Sequence, residues 1–316
     1  MKKVIACLCV VFLFAGCTES STPAVKAVVP DKPVIALVIK TLTNPFFIAM
    51  ETGARRAETE LGFVLKVKSG AQETSIDQQI AIIEDLVAEK VAAIVIAPGS
   101  STELIPALKK AQDAGIKLVN IDNQLDPEAS KAAGLVGVPF VSVDNVQGGY
   151  LAAKFLADRV KAPAQAGILE GIREAANANQ RKAGAVKAFA ENPNISLVAS
   201  ETANWKIDEG YEVAKAMFKA HPRITVLFAA NDMMALGALQ FLKEAGLSQV
   251  QVAGYDALDE ARKALALGTL VATVDQQADQ QGYIGAVTAT KLLRGEPTEP
   301  LVTVDVRLIT KATAGN

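Results

Sequence analysis

Five places along this 316-residue chain put hydrogen-bonding side chains directly after runs of apolar residues. They are Lys40 after "VIALVI", Asp122 with Asn123, Asn231 with Asp232, Tyr255 with Asp256, and Gln276. Carboxylates only accept hydrogen bonds, whereas amides donate and accept, so such a set can grip vicinal hydroxyl groups. Hydrogen bonds to charged partners contribute about 1.5–3 kcal/mol each. Aromatic residues make up only 5% of the chain, so clustered ones carry information. Phe46 and Phe47 in "KTLTNPFF", and Trp205, the one tryptophan, can lay a ring against the C–H face of a polyhydroxylated ring. Phe47 falls on the apolar stripe of the helix that follows and divides between core and ligand. Phe46 lies off that stripe and is assigned to the ligand. Trp205, in "ETANWKIDEG", is expected to be exposed on a loop, where binding residues concentrate. Asp232 sits at a strand-to-helix turn and reads as a helix N-cap.

Other chemistries lack their residues. No G-x-G-x-x-G follows the first strand, and no G-x-x-x-x-G-K-[ST] occurs. His221, the one histidine, reads as an exposed turn residue in "KAHPRI". With one histidine and three cysteines, all within the first 17 residues, common zinc sites and Ser-His-Asp catalysis are absent. A pair such as Asp122 and Asp256 could still act as acid and base on a glycosidic bond. The formal net charge of −2, with no basic run, argues against a nucleic-acid partner.

The elements that must position these residues alternate regularly. "VIALVI" leads to a helix near Pro45 whose Phe47, Met50, Ala54, Ala57 and Leu61 recur at helical spacing. Strands at "FVLKVKS", "AAIVIA" and "KLVNID" alternate with further helices. The second half repeats the pattern with "QAGILEG", "ISLVAS", "TVLFAAN", "VQVAGYD" and "LVATVDQ". Strands buried on both faces between helices predict parallel sheets, and the 316 residues suffice for two domains. The expected fold is therefore α/β, with two Rossmann-like lobes joined by a multi-strand hinge. Residues 33–143 plus 277–307 form the first lobe and residues 144–276 plus 308–316 the second. Crossings fall near Val143 and Gln276, and a last strand, "VTVDVRLIT", recrosses at the end. Ligands bind such sheets beyond the carboxyl ends of their strands, where the polar residues above lie.

The first residues have another purpose. Lys2 and Lys3 precede an apolar run from Val4 to Phe14, which predicts a secretory signal over residues 1–16. "FAGC" resembles the bacterial lipoprotein box, with Phe14 where leucine is more usual. The resemblance implies that Cys17 is lipidated and becomes the first mature residue. Cys7 and Cys9 leave with the signal, so the mature chain holds no internal disulfide. Residues 17–32 are polar and unpatterned and read as a flexible tether.

In order along the chain, "LVIKTLTNPFF", "NIDNQ", "VSVDNVQGGYLAA", "AANDMMALGAL", "VAGYDALDEA" and "TVDQQADQQGY" resemble the periplasmic monosaccharide-binding proteins of ABC transporters, above all the ribose and allose types. The likeness runs from Val34 to about Lys311 and implies the type I periplasmic binding protein fold. LacI-type repressors share the core, but here a signal and tether stand in place of a helix-turn-helix. The resemblance implies ligand contacts at Lys40, Asn44, Phe46, Phe47, Asp122, Asn123, Asn179, Trp205, Asn231, Asp256 and Gln276. Lys40 resembles the allose type, whereas the ribose type carries serine there. Asn123 and Asn179 fall where the ribose type has arginines, which leaves Lys40 as the one cation placed. The shell then carries a formal −1, which disfavours a sugar acid.

The implied function is capture of a neutral monosaccharide or related polyol outside the cytoplasm and its delivery to an ABC permease, without catalysis, cofactor or metal. A monomer held to the membrane only through its lipid is expected. Presentation of the loaded form to a chemoreceptor or sensor kinase is a compatible second role. A sugar-processing enzyme using Asp122 and Asp256 is the alternative of a different class.

Overall fold

The structure is a computed structural model that describes residues Lys32–Thr313. The signal, Cys17 and nearly all of the tether lie outside the described residues. From Val34 onward, strands and helices alternate: β1 (Val34–Ile39), α1 (Pro45–Leu61), β2 (Val64–Ser69), α2 (Ile76–Ala88), β3 (Ala93–Ile96), α3 (Ile105–Asp113), β4 (Lys117–Ile121), α4 (Pro127–Ala132) and β5 (Phe140–Val143). The chain then builds α5 (Asn145–Ala157), β6 (Ala164–Glu170), α6 (Ala176–Ala190), β7 (Ile195–Thr202), α7 (Ile207–Ala220), β8 (Ile224–Ala229), α8 (Asp232–Glu244), β9 (Gln251–Ala253), α9 (Asp259–Leu267) and β10 (Ala272–Asp275). It closes with α10 (Ala278–Leu293), β11 (Leu301–Val304) and β12 (Arg307–Thr310).

The strands form two sheets of six, in the orders β11-β5-β4-β3-β1-β2 and β12-β10-β9-β8-β6-β7. Among the described residues all pairings are parallel except that of β12, which runs antiparallel to β10. β1 shows why the sheets are covered on both sides. Ile35, Leu37 and Ile39 enter one buried cluster and Ala36 and Val38 another, as the two-residue period of a strand requires. The chain passes between the sheets three times: between β5 and α5, between β10 and α10, and at Asp305–Val306. The expected single strand over "VTVDVRLIT" is thus two strands, because its halves pair in different sheets.

Helix packing on the second sheet sets up the site. α5 and α6 approach until a Cβ at Gly149 would lie 2.2 Å from the Arg181 carbonyl oxygen, and one at Gly184 would lie 2.1 Å from that of Val146. Only glycine permits this approach. It lets Arg181 on α6 reach Asn145 on α5 and, past it, the cleft.

Candidate functional site

The carboxyl ends of both sheets face one another across a small cavity lined by residues of both lobes. Its wall is polar and charged, with Phe46, Phe47 and Trp205 as its three rings.

In the first lobe, Lys40 directly follows β1, and its Nζ lies 2.8 Å from Oδ2 of Asp122, which directly follows β4. Asn44 caps α1 by accepting from the Phe46 amide at 3.0 Å, and Pro45 starts the helix with its φ already helical. The cap turns Phe46 and Phe47 into the cleft, edge to face, with ring centroids 5.0 Å apart. Asn44 Nδ2 donates to Glu73 Oε1 at 2.9 Å. Burial pushes the Glu73 carboxyl up to about 7, against the opposing pull of Lys40 and of the Asn44 hydrogen bond.

In the second lobe, Arg181 is the centre. Its Nε donates to Asn145 Oδ1 at 2.8 Å, Nη1 to the Ala230 carbonyl at 2.9 Å and Nη2 to Gln276 Oε1 at 3.1 Å. The guanidinium lies 3.8 Å from the Tyr255 ring centroid and 5.3 Å from that of Trp205. Asp256 Oδ1 lies 3.8 Å from Nη1 and accepts from Gln276 Nε2 at 2.6 Å. Burial pushes Asp256 up, while Arg181 and Gln276 pull it back. Each lobe thus supplies a cation beside a carboxylate, so charges are paired in a place where an isolated one would be costly.

Backbone conformation marks the same spot. Asp122 (φ 62°), Trp205 (φ 66°) and Asp256 (φ 119°) line the cavity with positive φ, and Asn204, Ala257 and Gln277 beside them share it. Non-glycine residues held there cost about 1–3 kcal/mol each and cluster at functional sites. Two buried polar atoms of lining residues have no partner, Asn177 Oδ1 and Trp205 Nε1, whereas Asp122 Oδ2 is held by the Lys40 ammonium.

Nine of the eleven expected contacts line this cavity: Lys40, Asn44, Phe46, Phe47, Asp122, Trp205, Asn231, Asp256 and Gln276. Asn123 and Asn179 do not. Asn123 is buried behind the wall, where its Nδ2 donates to the Pro98 carbonyl at 3.1 Å. Asn179 bonds the carbonyls of Arg173 and Ala175 on the exposed side of α6. The residues that fill its expected place are Asn177 and Arg181, one helical turn apart and facing the cleft. Asn179 follows Asn177 by two residues, about 200° around the helix, and must point away. Lys40 is therefore not the only cation, since Arg181 stands opposite it. Glu73 is the other residue that sequence reasoning missed. It stands four residues beyond the end of β2, so no apolar run leads directly into it.

Two local expectations also change. Trp205 is 3% exposed, its indole lying against Gly171, where a Cβ would meet Cζ2 at 2.0 Å. The N-cap of α8 is Asn231, whose Oδ1 accepts from the Met234 amide at 2.9 Å, and not Asp232. Asp232 is fully buried within the second lobe, accepting from Thr273 Oγ1 and the Leu258 amide, and burial pushes its carboxyl up.

Two hinged α/β lobes closed over a small polar cavity are the architecture of a solute-binding protein. The chain belongs to the periplasmic binding protein family: the periplasmic binding protein domain matches residues 35–297. It is 42% identical over 304 residues to the D-ribose/D-allose-binding protein of Pseudomonas aeruginosa, covering 95% of each chain. It is 34% identical over 299 residues to a ribose import binding protein of Escherichia coli, covering 95% of this chain and 97% of that one. Among solved structures, an ABC transporter solute-binding protein from Actinobacillus succinogenes with bound D-allose matches with a TM-score of 0.85 and 39% identity, over 90% of this chain and 99% of that one.

Proposed function

We propose that this protein captures a neutral monosaccharide of the allose or ribose kind outside the cytoplasm and delivers it to an ABC permease. The observation that carries this reading is the pair of unpartnered buried polar atoms in the cavity wall, Asn177 Oδ1 and Trp205 Nε1, beside the charged groups that both lobes bring to the same cavity. Buried polar groups without partners are costly, and sugar hydroxyls can both donate and accept. The three rings match the apolar face of a pyranose. Lys40, shared with the allose type, and the D-allose complex of the structural neighbour favour an aldohexose with that stereochemistry.

Paired charges also weigh against the enzymatic alternative. Asp122 is engaged by Lys40 and Asp256 by Arg181 and Gln276, an arrangement that suits fixed contacts to hydroxyl groups. In this reading residues 1–16 are the export signal, Cys17 carries the lipid, residues 17–32 are the tether, and the mature protein is a monomer. The loaded, closed shape is what the permease reads, and a chemoreceptor or sensor kinase would read the same shape. The nine expected residues in the cavity, together with Glu73, Asn177 and Arg181, are the proposed contacts.

A thermal-shift screen of hexoses, pentoses and polyols tests the ligand, because a molecule that binds only the folded state raises the melting temperature. D-allose is expected to give a large upward shift and to be recovered unchanged. Small-angle scattering is expected to show a smaller radius of gyration on saturation. A screen with no shift for any monosaccharide, or turnover of the bound sugar, overturns the proposal.

A further inference from the structure

α6 starts without a cap of its own. Its N-cap residue is Ala175, which has no side-chain acceptor to offer the first helical amides. Those amides are served from the other lobe. The Ala176 amide donates to Ser101 Oγ at 3.0 Å, and the Asn177 amide donates to Asn123 Oδ1 at 3.2 Å. The Ser101 amide in turn donates to the Glu174 carbonyl at 3.1 Å. Ser101 follows β3 and Asn123 follows β4, both at the carboxyl end of the first sheet. The pair is held in place by its own bonds. Asn123 Nδ2 lies 3.3 Å from Ser101 Oγ and 3.1 Å from the Pro98 carbonyl. Both residues are buried, and neither lines the sugar cavity.

We propose that Ser101 and Asn123 are a closing latch, which caps α6 across the cleft only when the two lobes meet. The inference rests on the two-lobed capture reading above. Opening the cleft carries Ser101 and Asn123 away with the first sheet and leaves the start of α6 uncapped. The first two turns of the same helix carry Asn177 and Arg181 into the cavity. Seating the cap therefore also fixes the cavity-facing side of α6 against the first lobe, where Asn177 Nδ2 reaches Asp122 Oδ1 at 3.3 Å. Ser101 and Asn123 are positioning residues in this scheme. They act on closure and on the hold time of the sugar, not on its first encounter, which takes place in the open cleft.

The latch is tested with Ser101→Ala, Asn123→Ala and the double variant, each checked for an unchanged circular dichroism spectrum. Ser101→Ala removes one oxygen, so a folded variant is available even if Asn123→Ala is damaged. Loss of a helix cap corresponds to about a three- to thirtyfold change in an equilibrium. In sugar-free protein, dyes on the two lobes are expected to report a closed fraction lowered by a factor in that range. This arm needs no ligand, so it separates failure of the latch from failure of the sugar assignment. With D-allose, stopped-flow Trp205 emission is expected to show dissociation faster by the same factor and association within about twofold of wild type. Ser101→Thr, which keeps the oxygen, is expected to restore slow release. An unchanged closed fraction with unchanged dissociation overturns the latch. So does a loss that falls wholly on association, which would place these residues in the encounter site.

Discussion

Replacing Glu73 with glutamine should remove a proton from the binding reaction. Glu73 lies in the cavity wall, fully enclosed when the lobes are shut, and burial raises its carboxyl from the ordinary 4.5 to about 7. Opening the cleft rehydrates it and returns it toward the ordinary value. A carboxyl raised in the closed form stabilises that form fully below about pH 4.5 and loses the effect as pH rises through about 7. At pH 8 Glu73 is ionised in both forms. At pH 6 it is protonated in the closed form only, which favours closure about tenfold relative to pH 8. Sugar affinity should therefore strengthen about tenfold from pH 8 to pH 6 through this group alone. Near pH 6.5 binding should take up a substantial fraction of a proton at Glu73. Calorimetry in two buffers of different ionisation enthalpy measures that uptake. Asp256, also pushed up by burial, keeps part of the slope in the variant, so the readout is the difference between the two proteins. Glutamine keeps the oxygen that Asn44 Nδ2 donates to, so the α1 cap survives. Equal proton uptake by wild type and Glu73→Gln at pH 6.5 would refute the reasoning.

Three further outcomes follow from the same geometry. Trp205→Ala should weaken sugar binding more than tenfold and, because the indole is buried, should also lower the melting temperature, both measured on purified protein. Gly171→Ala should weaken binding about tenfold with little loss of secondary structure, since the new methyl drives the indole off its floor; calorimetry showing wild-type affinity would put the indole outside the site. Cys17→Ser should release the protein from membranes or block its processing, and identical fractionation of the two forms would exclude the lipid.

The alternation of apolar runs with helical stripes sufficed for the α/β lobes. Strands buried on both faces leave few polar residues along their length, so the polar ones at their ends stand out. Lys40, Asp122, Asn231, Asp256 and Gln276 were legible for that reason. Phe46 and Phe47 were legible because a proline-started helix must follow Asn44. What local sequence did not decide was direction. Asn177, Asn179 and Arg181 sit within five residues, and only the seat of α6 against α5, set by Gly149 and Gly184, determines which of them face the cleft. Trp205 looked like a loop residue and is one, but its burial depends on Gly171 from a neighbouring turn and Arg181 from a helix. Glu73 reaches the cavity because β2 lies beside β1, which is a matter of strand order. Asn123 sits one residue beyond Asp122, yet it turns away from the cavity to cap a helix in the other lobe. Residue types and their periodicity record what each segment must bury, whereas contacts between distant segments depend on how sheets and helices are stacked, and only the folded chain fixes that.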